Sequence, residues 1–197
     1  MVTTATAAPH LHGTEQPSAW VRRWSSLVTP QGLVLDVACG YGRHAYYFHE
    51  LSHPVTVIDR AQAAIESIAI ATQSCEKVVA DIENGPWPLA GRQFDAVVVT
   101  NYLWRPLMPT MLASLAPGGV LIYETFAAGN ETVGRPSRPD FLLQPGELLL
   151  FCKDLRVVAF EDGFINGGDG QAPRFVQRIA AVRQTGVSQL PARYVLQ

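Results

Sequence analysis

From Leu33 onward, short runs of consecutive apolar residues alternate with stretches whose apolar residues recur every three to four positions. The first pattern suits strands buried on both faces, the second suits helices with one buried face, and their alternation predicts βαβ units around a parallel sheet. Strands are expected at 33–38, 55–59, 77–80, 94–100 and 120–125. Between them, His44, Tyr47, Phe48 and Leu51 make one helical stripe, Ala61, Ala64, Ile65 and Ile68 a second, and Leu107, Met108, Met111, Leu112 and Leu115 a third. An earlier helix carries Trp20, Val21, Trp24, Leu27 and Val28 with Ser18 as its cap, and Thr29-Pro30-Gln31-Gly32 stops it. After the fifth strand a long loop runs over 126–143, followed by a helix opened by Pro145. Two long β-rich runs, 155–164 and 174–183, are joined by a glycine-rich turn and predict a closing antiparallel hairpin. The expected fold is therefore α/β: a Rossmann-like, doubly wound, mostly parallel seven-stranded sheet with a C-terminal antiparallel hairpin.

The first sixteen residues are rich in Ala, Thr and Pro without periodicity, so a flexible tail is expected over 1–16 and one domain over 17–197. His10 and His12 lie in that tail without a third ligand, and no metal site is expected. Fifteen basic against 17 acidic residues leave a net charge of −2, with no basic stripe, which argues against nucleic acid as a partner. Cys39, Cys75 and Cys152 are scattered and outside any C-x-x-C spacing, as expected of reduced thiols in a cytoplasmic protein. No signal-peptide pattern and no long apolar run is present, so no membrane partner is expected. Oligomeric state is not encoded in any pattern here, although Trp20 and Trp24 could cover either the site or a partner.

The stretch LVLDVACGYGRHA carries Gly40, Gly42 and Ala45 in the G-x-G-x-x-A spacing of a dinucleotide loop. That spacing, with Asp59 nineteen residues after Gly40, suits a nicotinamide-dependent oxidoreductase. Against it stands Asp36, a carboxylate where a pyrophosphate would have to lie. A cationic ligand removes the conflict.

Asp36-Val37-Ala38-Cys39-Gly40-Tyr41-Gly42, with Asp59 ending VTVID, Asp81 in VVADIE and the turn Pro117-Gly118-Gly119, resembles the class I S-adenosylmethionine-dependent methyltransferases. The resemblance implies S-adenosyl-L-methionine as cofactor and S-adenosyl-L-homocysteine as product. It implies that Asp36 holds the methionine ammonium, Asp59 the ribose hydroxyls and Asp81 the adenine amino group, with the Ile82 N–H facing a ring nitrogen. Ala38, Cys39, Gly40, Gly42, Arg43, Arg60 and Asn101 complete the implied cofactor set. Alternatives stay open: Asp59 could cap the following helix, Asp81 could be a surface turn residue, and Cys39 is better explained as a small loop residue than as a nucleophile.

On the acceptor side, the segment Asn101 to Pro106 lacks the D/N-P-P-Y signature of amino-adenine and glutamine methylation. The loop TFAAGNETVGRPSRPDFLLQPGEL is similar to that of small bacterial methyltransferases of the tellurite-resistance type. Phe126, Asn130, Arg135, Arg138 and Phe141 are the candidates for holding a small acceptor, unless both arginines merely tie the loop down. Tyr102 is the candidate for orienting the acceptor or taking its proton; the alternative is an aromatic ring packed on the cofactor. Methyl transfer to a small molecule is thus the expected function, with a non-catalytic S-adenosylmethionine- or S-adenosylhomocysteine-binding module and a nicotinamide-dependent oxidoreductase as alternatives.

Overall fold

The computed structural model describes residues 15–168, 172–186 and 193–196; His10, His12 and most of the expected tail lie outside them. Helix α1 (Ala19–Trp24) starts where expected, with the Ser18 hydroxyl accepting from the Trp20 N–H at 3.1 Å, and runs on as a 3-10 turn over Ser25–Leu27. There follow β1 (Val34–Val37), α2 (Arg43–Glu50), β2 (Val55–Asp59), α3 (Gln62–Ser67), β3 (Cys75–Val79), β4 (Phe94–Thr100), α4 (Met108–Ala113), β5 (Leu115–Phe126), α5 (Glu147–Phe151), β6 (Arg156–Ile165) and β7 (Arg174–Val182). One seven-stranded sheet has the order β3-β2-β1-β4-β5-β7-β6, with β1 to β5 mutually parallel and β7 antiparallel to both β5 and β6. The expected fold class and closing hairpin are both present.

Alternation along the strands divides the core in two. Leu35, Val37, Val97, Val99, Leu121 and Tyr123 face α4 and α5, packing with Met108, Met111 and Leu148. Val34, Val57, Ala96, Val98, Val120 and Ile122 face α1 to α3, packing with Trp20, Trp24, Phe48 and Ile65. Both tryptophans are therefore core, not a cover for the site: Trp20 and Trp24 are each 1% exposed, and the Trp20 indole N–H donates to the Ile179 carbonyl at 3.2 Å.

Strand β3 begins two residues before expectation, at Cys75, and three other differences have clear physical causes. Leu115, read as the last residue of a helical stripe, instead opens β5 opposite Phe94. The expected Pro117-Gly118-Gly119 turn is absorbed into that strand as an irregularity in its pairing: Gly118 sits at φ +85° and donates to the Arg183 carbonyl at 2.7 Å, while the Arg183 N–H returns a bond to Gly119. Helix α5 starts two residues after Pro145, because Gly146 takes the left-handed conformation at its cap. The strand order reverses between β1 and β4, which opens a crevice at their carboxyl ends, where ligands bind in such sheets.

Candidate functional site

The loop after β1 lies in that crevice. Asp36 is 1% exposed on β1; the Ala45 N–H and the Arg43 charge support its carboxylate, yet its Oδ2 has no hydrogen-bond partner. Burial outweighs that support and raises its pKa to about 7, with Asp59 adding repulsion. The two glycines serve different ends. A side chain at Gly42 (φ +77°) would meet Ile68 at 2.8 Å, so Gly42 lets α2 pack on the neighbouring segment; at Gly40 (φ +54°) a Cβ would meet nothing within 4 Å. Gly40 therefore leaves open space in the crevice. Ala38 and Asn101, at the ends of neighbouring strands, also have positive φ, +52° and +54°, without being glycine. Such backbone costs of order 1 kcal/mol per residue and tends to cluster at ligand sites.

The loop and the next two strand ends frame two adjoining clefts. One, of about 230 Å³, is lined by Cys39, Gly40, Arg43, Thr100 and Asn101 with Glu15 at its edge. Arg43 donates to the Thr100 hydroxyl at 3.3 Å and approaches Glu15 at 3.9 Å. The other, of about 150 Å³, is lined by Ala38, Asp59, Arg60, Asp81, Ile82 and Tyr102. Asp59 accepts from the Gly40 N–H at 2.9 Å and the Ala61 N–H at 2.8 Å, so it fixes the glycine loop as well as the start of α3. Asp81 accepts from the N–H groups of Glu83 and Asn84 and from the Asn84 side chain, which hold its carboxyl below the usual range. It is a turn residue and a cleft residue at once. Next to Arg43, His44 is a buried neutral imidazole: burial first, then Arg43, pull its pKa to about 3, and its Nε2 accepts from the Ser18 N–H at 3.2 Å. Burial and nearby acidic groups push the Cys39 thiol far up, which leaves no thiolate for nucleophilic chemistry.

Beyond Asn101 opens a wider cleft of about 630 Å³, bounded by Asn130, Val133 and Arg135 from the long loop, Glu124 and Phe126 from the end of β5 and Arg178 from β7. Of the acceptor candidates, Phe126, Asn130 and Arg135 meet here. Asn130 is also the pin of its loop, donating to the Pro136 carbonyl at 2.9 Å and accepting from the Phe175 N–H at 3.1 Å. Arg138 and Phe141 stand outside this cleft, Arg138 pairing with Asp140 at 2.8 Å and lying over the Phe141 ring. Tyr102 is likewise placed with Asp59 and Asp81, and not in the wider cleft.

Neither of the two arginines ties the loop down. Arg105 does: it forks onto Glu147 at 2.6 and 2.8 Å and also donates to the carbonyls of Asp140 and Leu142. Arg135 makes no hydrogen bond or ion pair among the described residues. Glu124 and Arg178 are not among the candidates drawn from the sequence patterns above, and Ser18 enters there only as a helix cap. An acidic residue inside the apolar run LIYETF was the available signal for Glu124, since a carboxylate rarely enters a buried strand without a partner.

Residues 34–119 match a family model described as a methyltransferase domain. Over 107 residues the chain is 31% identical to malonyl-[acyl-carrier protein] O-methyltransferase of Serratia marcescens, a match spanning 51% of this chain and 41% of that relative. TehB from Haemophilus influenzae shares the fold at a TM-score of 0.68 and 20% identity, over 84% of this chain and 61% of TehB. The glycopeptide N-methyltransferase MtfA, solved with S-adenosyl-L-homocysteine, does so at 0.61 and 17% identity, over 86% and 91% of the two chains. The chain thus carries the sequence pattern of a methyltransferase domain over 34–119, spans less than half the length of its curated relative, and shares its fold with solved methyltransferases.

Proposed function

We propose that this protein binds S-adenosyl-L-methionine in the crevice between β1 and β4, methylates a small-molecule acceptor in the wider cleft, and releases S-adenosyl-L-homocysteine. The observation that carries this reading is the buried Asp36 carboxylate, with one unpartnered oxygen, beside the open space over Gly40. A buried anion without a partner is costly, and a ligand ammonium is the group that relieves it. A dinucleotide pyrophosphate would add to the repulsion already present between Asp36 and Asp59. The residues fit the cofactor elsewhere too. Arg43 is available for a carboxylate, Asp59 has acceptor capacity left for ribose hydroxyls, and Asp81 with Ile82 and Tyr102 makes a half-open cleft suited to a flat base.

When bound, the cofactor supplies a methyl carbon activated by its sulfonium leaving group. What the chain must then do is align an acceptor and exclude water from it. Phe126 and Val133 provide an apolar wall, and Arg135 a cation for an anionic acceptor group. Tyr102 is assigned to the adenosine side. Its phenol, raised far above neutrality by burial and by Glu83, is a poor proton acceptor.

Calorimetric titration with S-adenosyl-L-methionine, S-adenosyl-L-homocysteine and NADH in parallel tests the reading. Saturable binding of the first two alone is expected, and Asp59→Ala should weaken it by roughly 1–3 kcal/mol through the lost ribose acceptor and the loosened Gly40 loop. Binding of NADH alone would overturn it.

A further inference from the structure

Glu124 is the one carboxylate buried in the wall of the wider cleft, 6% exposed at the end of β5. Its Oε1 accepts from the Ser18 hydroxyl at 2.9 Å and its Oε2 from the Arg178 guanidinium at 3.2 Å. A carboxylate offers about four lone-pair positions, so about half of its capacity is unused. Its cationic partner is also shared. Arg178 gives two shorter bonds, 2.8 and 2.5 Å, to Glu161 and reaches Glu124 only with its remaining nitrogen. On the same cleft stands Arg135, a cation with no partner among the described residues. The wall thus presents a spare hydrogen-bond acceptor and a spare cation, beside the apolar surface of Phe126 and Val133.

Resting on the methyltransferase reading above, we propose that the acceptor is a small molecule carrying both an anionic group and a protic donor, and that Glu124 determines specificity by receiving the donor's hydrogen bond while Arg135 receives the anion. A ligand with only the anion leaves the Glu124 capacity unmet. One with only the donor forgoes the attraction of Arg135, whose guanidinium is exposed and stays solvated when no anion is present. Sites built to bond a donor reject analogues lacking it far more strongly than sites built to exclude a methylene, because their buried polar atoms are left unpaired.

Three probes of one frame separate these terms: para-hydroxybenzoate has both groups, benzoate only the anion and phenol only the donor. Their affinities would be measured by ligand-observed NMR on the protein loaded with S-adenosyl-L-homocysteine. We expect para-hydroxybenzoate to bind at least about fivefold more tightly than either of the others. Glu124→Gln keeps one acceptor oxygen, which the Arg178 guanidinium claims, and presents an NH2 group in place of the second, so it should reduce the affinity to that of benzoate; Arg135→Ala should reduce it to that of phenol, and both should leave cofactor-product affinity unchanged. Ser18→Ala, which removes a bond to Glu124 without removing its charge, should keep the preference. If Glu124→Gln does not fold, Glu124→Asp withdraws the carboxylate by one methylene and should lose the preference. Equal binding of para-hydroxybenzoate and benzoate to the unmodified protein, an intact preference in the Glu124 variants, or no binding by any probe would each overturn the proposal. Should S-adenosyl-L-homocysteine itself fail to bind, the cofactor reading fails separately, and the same series on the free protein still decides what the cleft selects.

Discussion

Asp36 shows how one residue's surroundings turn a motif into a chemical property. An aspartate ending an apolar strand is visible in the sequence, but its burial, its lone oxygen and its raised pKa depend on α2 folding back over β1. If its ionised form receives the ligand ammonium, affinity for S-adenosyl-L-homocysteine should fall about tenfold for each unit of pH below 7, and Asp36→Asn should flatten that dependence. Without ligand the sign is opposite. The folded state holds this proton more tightly than the unfolded chain, so the contribution to stability is full below pH 3.8 and is lost as pH rises through about 7. Thermal unfolding between pH 4 and 8 should therefore show a downward component that Asp36→Asn removes. The same contrast holds nearby. Asp59 and Asp81 were legible as carboxylates at strand ends, and their local bonds at the start of α3 and in the Asp81 turn were legible as alternatives, whereas the hold of Asp59 on the Gly40 N–H appears only once that loop closes.

Among the elements, the long connection between β5 and α5 is informative because its length alone would suggest a loose loop. It is held along its course instead. Asn130 pins its first turn, Arg105 holds its last, and the buried Gln177 donates to the Gln144 carbonyl while accepting from the Leu148 N–H. Between the pins, residues 133–138 project Arg135 over the cleft. Arg105→Ala removes four hydrogen bonds at a partly exposed site and leaves Glu147 without its cation. We expect a loss of roughly 1–3 kcal/mol in stability, with faster proteolysis inside 133–141 and cofactor-product affinity unchanged. Periodicity could not point to Arg105, because a side chain in a 3-10 turn before α4 meets Glu147 only after the chain has crossed the sheet through β5. It also could not distinguish Arg135 from Arg138. The two are three residues apart in the same loop, and local backbone turns one toward the cleft and the other toward Asp140.

Across the whole molecule, the two faces of the sheet divide stability from function unevenly. Helix α1 covers β5 and β7 with Trp20 and Trp24 packed edge to face at 5.6 Å, while Ser18 at its start bonds both His44 of α2 and Glu124 of β5. The helix that completes one core thus also joins α2, which follows the glycine loop, to the wall of the wider cleft. Trp20→Ala should cost about 3–5 kcal/mol in stability, read as a lower unfolding midpoint, because it empties a fully buried position and leaves the Ile179 carbonyl without its donor. Among the described residues no helix is long and apolar enough to cross a membrane.

The alternation of apolar patterns along the chain was enough to place the strands and helices in order, the antiparallel closing hairpin and the strand ends that carry Asp36, Asp59 and Asp81. Those features follow from periodicity and local backbone preference, which act over a few residues and are written directly in the chain. Which polar groups share a site was settled by packing alone: the unpartnered Asp36 oxygen, the shared Arg178 between Glu161 and Glu124, and the separation of Tyr102 from the cleft that holds Arg135. The physical reason is range. Desolvation and charge pairing depend on distances between residues remote in sequence, such as Ser18 and Glu124, and those distances exist only when the two sides of the sheet have packed.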